Sequence, residues 1–289
     1  MQKICPLFCA FAASLLFSAV IGVRSDKGIL CGTINQNGLG KIPWAMALYH
    51  KGQYFGGGSL VTPGLVLTAA HIVLGKSAGD IKARAGVRDL LSGERGFLVE
   101  DRQVVKIISH EAFDYISGGN NLALLFLDSP FELKAHIATI CLPRSSEQKF
   151  AGRSCAVFGW GKRAFPDDQP MLTPQKIDLP IVEDAQCQEQ LRRTTLGPNF
   201  LLPANVLCAG DRDACSLFGG SPLFCSLEQD PLRFEQVGIA SWGMGCGQEN
   251  VPAVYTNVAK LSDWIAPHLQ QVLSIPGDLV NSMLSEPRT

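Results

Sequence analysis

The sequence predicts an all-β protein that ends in one α-helix. From Ile42 onward the apolar segments are short, rich in β-branched residues and separated by turn-forming residues, a pattern typical of strands. Helical patterns do not alternate with these segments, which argues against a parallel α/β sheet and favours a sandwich or barrels. Residues 42–273 are enough for two small barrels, and residues 136–153 then form the crossing between them.

Several apolar segments carry the strand pattern. Each is bounded by turn formers and is too short for a typical helix. The predicted strands are GLVLTAA (64–70), QVVKIISH (103–110), NLALLFL (121–127), SCAVFGWG (154–161), QKIDLPIV (175–182), FEQVGIASWG (234–243) and AVYTNV (253–258). Their lengths and their distribution along the chain are consistent with two barrels.

One helical pattern appears near the C-terminus, in VAKLSDWIAPHLQQVL (258–273). The apolar residues at helical spacing, which would share one face, are Val258, Leu261, Ile265, Leu269 and Val272. Ser262 is a suitable N-cap, and Pro267 should delay the start of the helix or kink it. Residues 274–289 are expected to form a loosely attached C-terminal tail.

Residues 1–24 have the features of a secretory signal peptide. Lys3 supplies a short positive region, an apolar stretch of about 19 residues follows, and small or permissive residues near Gly22 and Ser25 suit cleavage. The alternative is an uncleaved anchor, since a bilayer needs roughly 20 apolar residues, but Pro6 and the weak positive flank count against it. We therefore expect a secreted, extracellular protein that binds a membrane only if this segment is retained.

The chain contains ten cysteines, of which Cys5 and Cys9 lie in the predicted signal peptide. The others are Cys31, Cys141, Cys155, Cys187, Cys208, Cys215, Cys225 and Cys246. An even number of cysteines in a secreted chain indicates disulfides, although counting alone cannot choose the pairs. The chain has no CxxC pair and no Cys/His group at zinc spacing, so no metal or other cofactor is expected.

The composition gives no indication of a nucleic-acid partner. The net charge is −1, and the chain has no run of basic residues. An electrostatic attraction to nucleic acid or to an anionic membrane therefore has no basis. The chain also lacks an Asn-x-Ser/Thr sequence, so N-glycosylation is not expected.

Six short motifs, taken together and in order, resemble the chymotrypsin-type (S1) serine protease family. They are VLTAAHIV, GWG, LCAG, GGSP, SWGMGCG and VPAVYTNV, and the similarity extends from Pro43 to Leu273. NQNG, NNLALLFLDSPF and ICLP look closest to arthropod members, notably the non-catalytic serine protease homologues. The resemblance implies two six-stranded antiparallel β-barrels with a C-terminal α-helix, in a trypsin-like domain that spans residues 42–273.

The resemblance also locates the three catalytic positions of the family. In the family a serine attacks the substrate carbonyl, a histidine takes the serine proton, and an aspartate fixes the tautomer of the histidine. The histidine is present as His71 in TAAH. The aspartate position in NNLAL is Asn121, and the serine position, four residues after Cys215, is Gly219. The resemblance therefore implies a vestigial triad without a nucleophile.

Residues next to the missing serine also depart from the family pattern. Leu217 replaces the glycine that supplies an oxyanion-hole amide, and Phe218 replaces the aspartate that pairs with the new α-amino group after zymogen cleavage. The usual Arg-Ile-Val-Gly-Gly activation site is absent as well. Ser221 is the substitute nucleophile to consider, but it lies two residues beyond the serine position and is expected to point elsewhere.

The resemblance implies a scheme for the disulfides. The implied pairs are Cys31–Cys141, Cys155–Cys225, Cys187–Cys208 and Cys215–Cys246. The first should tie residues 25–41 to the rest of the chain, and the others should lie in or around the second barrel. The bridge that the family has beside the histidine is absent, because Ile72 follows His71 and YFGGGSL contains no cysteine. The fold is therefore expected to persist although the chemistry is lost.

The primary specificity pocket of the family is retained only in part. Asp213 stands where trypsin-like members have the aspartate that binds Lys or Arg. One wall corresponds to Ser241, Trp242 and Gly243. The opposite wall has Ala253 in place of the usual glycine, and its methyl group should narrow the pocket. We expect a pocket remnant that no longer accepts a basic side chain, with retained binding of Lys or Arg as the alternative that stays open.

These features predict a secreted, catalytically inactive serine protease homologue that binds or regulates other proteins. The expected partners are secreted proteins, namely an active serine protease, a zymogen or an inhibitor, and loops 163–170 and 192–200 are candidates for the contacts. No clip domain fits before Cys31, so a cofactor or decoy role in an innate-immunity cascade rests on analogy. Two alternatives stay open: an unorthodox hydrolase in which His71 works with a water or another nucleophile, and a structural protein of a secreted fluid.

Overall fold

The prediction of two six-stranded antiparallel barrels with a C-terminal helix is confirmed. A computed structural model describes residues 30–34, 42–90, 99–161, 171–210, 219–244 and 249–273. Over these residues the strands form two closed barrels. The helices in the described part of the chain are α1 (Ala70–Val73), α2 (Asp184–Arg192) and α3 (Ser262–Leu273), with a 3-10 turn at Ala78–Asp80.

The first barrel is built from the strands that precede the crossing. They are β1 (Ala45–His50), β2 (Gln53–Thr62), β3 (Leu65–Thr68), β4 (Ile81–Ala85), β5 (Glu100–Ser109) and β6 (Ala123–Leu127). Their order is β1-β2-β3-β6-β5-β4, and β4 closes the barrel by pairing with β1. In β4 the buried residues Ile81 and Ala83 alternate with the partly exposed Lys82 and Arg84, so one face of this strand contributes to the core.

The second barrel uses the strands after the crossing. They are β7 (Ser154–Gly159), β8 (Gln175–Val182), β9 (Val206–Ala209), β10 (Pro222–Ser226), β11 (Phe234–Trp242) and β12 (Ala253–Asn257). Their order is β10-β11-β12-β9-β8-β7, and β10 closes the barrel by pairing with β7. Val157, Leu223 and Val237 belong to the apolar cluster inside this barrel.

The two barrels are joined by a shared apolar cluster. Trp44, beside β1, packs edge-on against Phe224 of β10 with ring centroids 5.3 Å apart, and both side chains are buried. Tyr54 of β2 donates a hydrogen bond from its hydroxyl to the carbonyl oxygen of Trp160, just after β7, at 3.0 Å. Because protein cores are close-packed, this shared cluster fixes how the barrels face each other and which loops meet between them.

The C-terminal helix differs from its sequence pattern at the start. Helical geometry begins at Ser262, so the first four residues of the pattern lie before the helix. Pro267 lies inside the helix, where it lacks the N–H group that would bond to the Asp263 carbonyl. Leu261 and Ile265 are nevertheless buried in the shared cluster. No helix in the described part of the chain is long and apolar enough to cross a membrane.

Disulfides join distant parts of the chain. The bridges among the described residues are Cys31–Cys141, Cys155–Cys225 and Cys187–Cys208. The first holds the N-terminal segment against the crossing, where Gly32 N–H also donates to the Thr139 carbonyl at 2.7 Å. The second connects β7 to β10, and the third connects α2 to β9. These are three of the four pairs that the family resemblance implies; Cys215 and Cys246 lie outside the described residues.

Candidate functional site

The candidate site combines polar side chains from both barrels. Helix α1 follows β3 almost directly and carries His71 in its first turn. Strand β3 pairs with β6, with Thr68 opposite Ala123, and this pairing brings Asn121, two residues before β6, beside His71. Ser241, near the end of β11, reaches the same place from the second barrel. The fold thus assembles His71, Asn121 and Ser241 at the boundary between the barrels.

The Asn121 side chain is buried, and both of its polar atoms are hydrogen-bonded. Oδ1 accepts the backbone N–H of His71 at 2.9 Å. Nδ2 donates to Ser241 Oγ at 2.7 Å and lies 2.8 Å from Nδ1 of the His71 ring. Turning the amide by half a revolution would place its NH₂ group against the His71 N–H, so that two donors would face each other. The amide is therefore held in one orientation.

The orientation of Asn121 determines the tautomer of His71. An amide nitrogen only donates, so the ring nitrogen 2.8 Å from Asn121 Nδ2 must accept, and Nδ1 carries no proton. The proton of the neutral ring is then on Nε2. In a Ser-His-Asp triad, Nε2 must be unprotonated to accept the serine proton, and the wrong tautomer lowers turnover by about 10⁴. The ring of His71 therefore presents a donor where a general base is needed.

The surroundings of His71 also disfavour a second proton on its ring. Burial lowers the pKa of His71 below its ordinary value, and the positive charge of Lys76 acts in the same direction. Asn121 would favour the protonated ring only if Oδ1 faced Nδ1, but that oxygen is engaged by the backbone N–H of His71. The ring is therefore neutral at pH 7.

The lowered pKa of His71 predicts a loss of stability in acid. The unfolded chain binds a proton on this ring near pH 6.5, the ordinary pKa, whereas the folded chain binds it only at lower pH. The free energy of unfolding should therefore fall as the pH decreases below about 6.5, by up to ~1.4 kcal/mol per pH unit for one proton. Urea unfolding of the wild type and of His71→Gln from about pH 7.5 to about pH 5 checks this. The variant should lose this part of the pH dependence, and parallel curves would contradict the prediction.

Gly219, at the position where the family resemblance places the nucleophile, faces the His71 ring. A Cβ atom built on Gly219 would lie 3.7 Å from His71 Nε2 and 3.3 Å from Ile72 Cγ2. The Gly57 N–H donates to the Gly219 carbonyl at 2.9 Å and holds this turn against β2. The backbone thus approaches the histidine at this residue but offers it no side chain.

Ser221 faces a different part of the site. Its side chain is buried and packs against Gly57, where an added Cβ would collide with Ser221 Oγ. The hydroxyl forms no hydrogen bond with the described residues, His71 included. Ser221 is therefore directed at β2 and gives no support to the alternative of a substitute nucleophile.

Ile72 lies beside the histidine, where the family resemblance implies that a disulfide is missing. Its Cδ1 lies 2.7 Å from the position of a Cβ on Gly56 and 2.8 Å from one on Gly220. The Ile72 Cβ is 3.8 Å from the Gly56 Cβ position, which is the usual Cβ–Cβ separation in a disulfide. The Ile72 side chain thus fills the space that the absent side chain of Gly56 leaves open. Ile72 also packs against the turn that carries Gly219.

An open cleft of about 340 Å³ lies beside this polar group. The predicted wall residues Ser241, Trp242 and Gly243 line it, together with His71 and Asn121. The remaining described lining residues come mainly from two loops and are mostly apolar: Phe113, Tyr115, Ile116, Ser117, Gly118, Leu196, Phe200 and Met244. The cleft therefore combines a polar end at the histidine with apolar walls.

The other residues of the predicted pocket and contact loops have different positions. Ala253 is buried in β12, where it pairs with Ala209 of β9, and it does not line the cleft. Loop 192–200 contributes Leu196 and Phe200 to the cleft. The predicted residues outside the described part of the chain are Asp213, Leu217, Phe218 and loop 163–170.

The rim of the cleft carries two exposed apolar side chains that the sequence analysis missed. Tyr115 is 71% exposed and Ile116 is 96% exposed. Asp114 fixes their loop, because its carboxylate accepts the Ile116 N–H at 2.9 Å and the Ser117 hydroxyl at 2.6 Å. The available signal was the pair of large apolar residues inside the turn-forming segment DYISGG (114–119). Such a pair, held in solvent beside an apolar cleft, favours a contact surface.

Comparison with known proteins identifies the family. The family model described as Trypsin matches residues 31–265. The chain belongs to the trypsin family. This agrees with the two closed barrels, and it makes the trypsin-family site the reference for the geometry around His71.

Relatives within the trypsin family carry different names. Phenoloxidase-activating factor 2 of Galleria mellonella is 36% identical over 273 residues, which cover 84% of this chain and 89% of the relative. Inactive CLIP domain-containing serine protease A3 of Aedes aegypti is 37% identical over 264 residues, which cover 88% of this chain but 53% of the relative, so this chain spans about half of that protein. Tryptase of Mus musculus is 34% identical over 273 residues, which cover 92% of this chain and 97% of the relative. These names include both an inactive protein and a tryptase, so the names alone do not decide whether this chain is active.

Proposed function

We propose that this trypsin-family protein is catalytically inactive and acts by binding other proteins. The observation that carries the proposal is Gly219, where the backbone directs a Cβ position to within 3.7 Å of His71 Nε2 and no side chain follows. Asn121 adds to it by keeping the ring proton on Nε2. Both the nucleophile and the general base are then missing from one site, and either loss alone is enough to remove efficient catalysis.

The proposal extends to a secreted regulator of an extracellular protease cascade. Bridges such as Cys31–Cys141 favour an oxidising compartment, in agreement with the signal-peptide features of residues 1–24. The names of two relatives, a phenoloxidase-activating factor and an inactive clip-domain protease, support a role as cofactor or decoy for an active protease, a zymogen or an inhibitor. The cleft and its rim at Tyr115 and Ile116 offer the contact surface.

A hydrolase in which His71 activates a water molecule is a poorer fit to the same geometry. Activation of water requires an unprotonated ring nitrogen that faces the substrate. The nitrogen that accepts is Nδ1, and it faces the buried Asn121 amide. Nε2, which lies toward Gly219, carries the proton.

An active-site-directed fluorophosphonate tests the proposed inactivity. The secreted chain is treated beside trypsin as positive control and beside His71→Ala, and intact disulfides are verified by mass spectrometry. We expect no labelling of the wild-type protein, because no hydroxyl stands at position 219. Labelling that disappears in His71→Ala would show a working nucleophile and would overturn the proposal.

A further inference from the structure

We propose that the cleft binds an uncharged apolar residue of a partner's peptide chain and that His71 Nε2–H donates a hydrogen bond to the backbone carbonyl of that segment. This inference rests on the proposed binding function and names the ligand chemistry of the same site. In an active triad the histidine accepts a proton at Nε2, whereas here the ring offers one. Nε2 of His71 is thus a hydrogen-bond donor where the active triad has an acceptor. The ligand selected at this position is one that accepts a hydrogen bond.

The geometry around Nε2 supports a donor that is free to bind. Asn121 Oδ1 accepts a hydrogen bond from the backbone N–H of His71, and Asn121 Nδ2 therefore faces Nδ1 of the His71 ring. The ring proton is thus left on Nε2. Within the described residues Nε2 has no hydrogen-bond partner, and the place where a serine side chain would stand is left open by Gly219. A carbonyl oxygen at the end of the cleft can occupy that space and accept a hydrogen bond from Nε2–H.

The walls of the cleft indicate which kind of ligand side chain fits beside the bound carbonyl. None of the described lining residues carries a full charge when His71 is neutral. Trp242 and Phe200 form an edge-to-face pair with centroids 6.1 Å apart, and Leu196 lies near them in the lining. A charged side chain would lose its hydration against these walls without gaining a counter-charge, whereas an apolar side chain gains by burial. The occupant that fits is an aliphatic or aromatic residue.

The rim adds apolar surface to the same opening. Tyr115 and Ile116 stand in solvent on the loop fixed by Asp114, and they line the cleft on the side of Gly118. Since the loop is already held by hydrogen bonds, little conformational entropy is lost when a peptide packs against it. The described site is therefore built for a short extended segment and not for a single ion.

The first test determines which ring nitrogen of His71 carries the proton. The full chain is labelled with ¹⁵N-histidine, and its long-range ¹H–¹⁵N spectrum is recorded at about pH 8; the His71 signals are those absent in His71→Gln. We expect a protonated Nε2 and an unprotonated Nδ1. The neutral probe N-acetyl-leucinamide is then titrated, and the Nε2–H resonance should shift in a saturable way with a dissociation constant on the order of 1 mM.

Asn121→Asp provides the matched variant, because an aspartate accepts Nδ1–H and turns Nε2 into an acceptor. At about pH 8 this variant should bind the probe roughly 5- to 30-fold more weakly. At about pH 5 its ring takes a second proton, so both nitrogens donate and the affinity should return, whereas the wild type should bind equally at both pH values.

Three results would each overturn the inference: a proton on Nδ1 of His71 in the wild type, no saturable shift of the Nε2–H resonance with the probe, or an Asn121→Asp variant that binds the probe as tightly as the wild type at about pH 8. None of these results would restore a nucleophile, so the proposed inactivity would stand. Labelling by the fluorophosphonate would instead remove the proposed function on which the inference rests.

Discussion

Replacing Gly219 with serine and Asn121 with aspartate in the same chain should give a protein that reacts with a fluorophosphonate about 10⁴ times faster than the Gly219→Ser variant alone. The serine supplies the missing nucleophile at a residue whose Cβ position is 3.7 Å from His71 Nε2. The aspartate accepts Nδ1–H, so that Nε2 becomes the nitrogen that takes the serine proton. Neither substitution alone should give fast labelling, because the nucleophile and the general base act as a unit.

Both substitutions fit contacts that already exist. An aspartate at position 121 still accepts the His71 N–H, and the Ser241 hydroxyl can donate to it in place of accepting. A serine at position 219 approaches Ile72 Cγ2, which is 3.3 Å from the Cβ position, so the isoleucine side chain must move by a few tenths of an ångström. Similar urea midpoints for the single and double variants would show that the fold is retained.

The measurement is the second-order rate of labelling for the wild type, both single variants and the double variant. Asn121→Asp alone should remain unlabelled because it has no nucleophile. If Gly219→Ser alone reacted as fast as the double variant, Asn121 would not control the tautomer of His71. Hydrolysis of peptide substrates should stay slow even in the double variant, because by the family resemblance Leu217 is expected to replace an oxyanion-hole glycine.

The sequence was most informative where strand-forming residues lie between clear turn formers. Strands β6, β8 and β11 each overlap a predicted strand closely. In β6 a run of Leu and Phe gives a strong signal, whereas β8 and β11 mix apolar and polar residues and depend on the turn formers that flank them. The site residues His71, Asn121 and Gly219 could be named because each lies in a short motif that resembles a motif of the serine protease family.

Strands whose residues serve close backbone contacts were missed. Strand β2 contains three consecutive glycines, a composition that indicates a loop, yet these glycines are buried where neighbouring chain segments come near. A Cβ at Gly57 would collide with Ser221, and one at Gly58 would meet Val66. Strand β4 alternates alanine with Lys82 and Arg84, and β10 begins with a proline, so neither shows a strong apolar run.

The chemistry of the site also depended on information that residue types do not contain. An asparagine at position 121 leaves the amide free to face His71 with either its oxygen or its nitrogen. The choice is made by the backbone N–H of His71, which requires Oδ1 and thereby turns Nδ2 toward the ring. That contact exists only because β3 pairs with β6. The inverted polarity of His71 is thus a consequence of tertiary structure.

Introducing Gly56→Cys together with Ile72→Cys should create a new disulfide and stabilise the protein by ~3 kcal/mol, the expected gain for a bridge that closes a loop of this length. The Gly56 Cβ position is 3.8 Å from the Ile72 Cβ, within the range that a disulfide requires. Removal of Ile72 Cδ1, which is 2.7 Å from the same Cβ position, also provides the space for the second sulfur.

The stabilisation is measured by urea unfolding against Gly56→Ser/Ile72→Ser, which has side chains of similar size and no bridge. Gly56→Cys alone should be destabilised by about 1–3 kcal/mol, because its side chain then competes with the intact Ile72 for one space. Two free thiols in the double cysteine variant, detected by mass spectrometry after alkylation, would contradict the placement of Ile72 over Gly56. A bridge that forms and stabilises would instead support the observed packing, in which the Ile72 side chain fills the space over Gly56 and contacts the turn at Gly219 and Gly220.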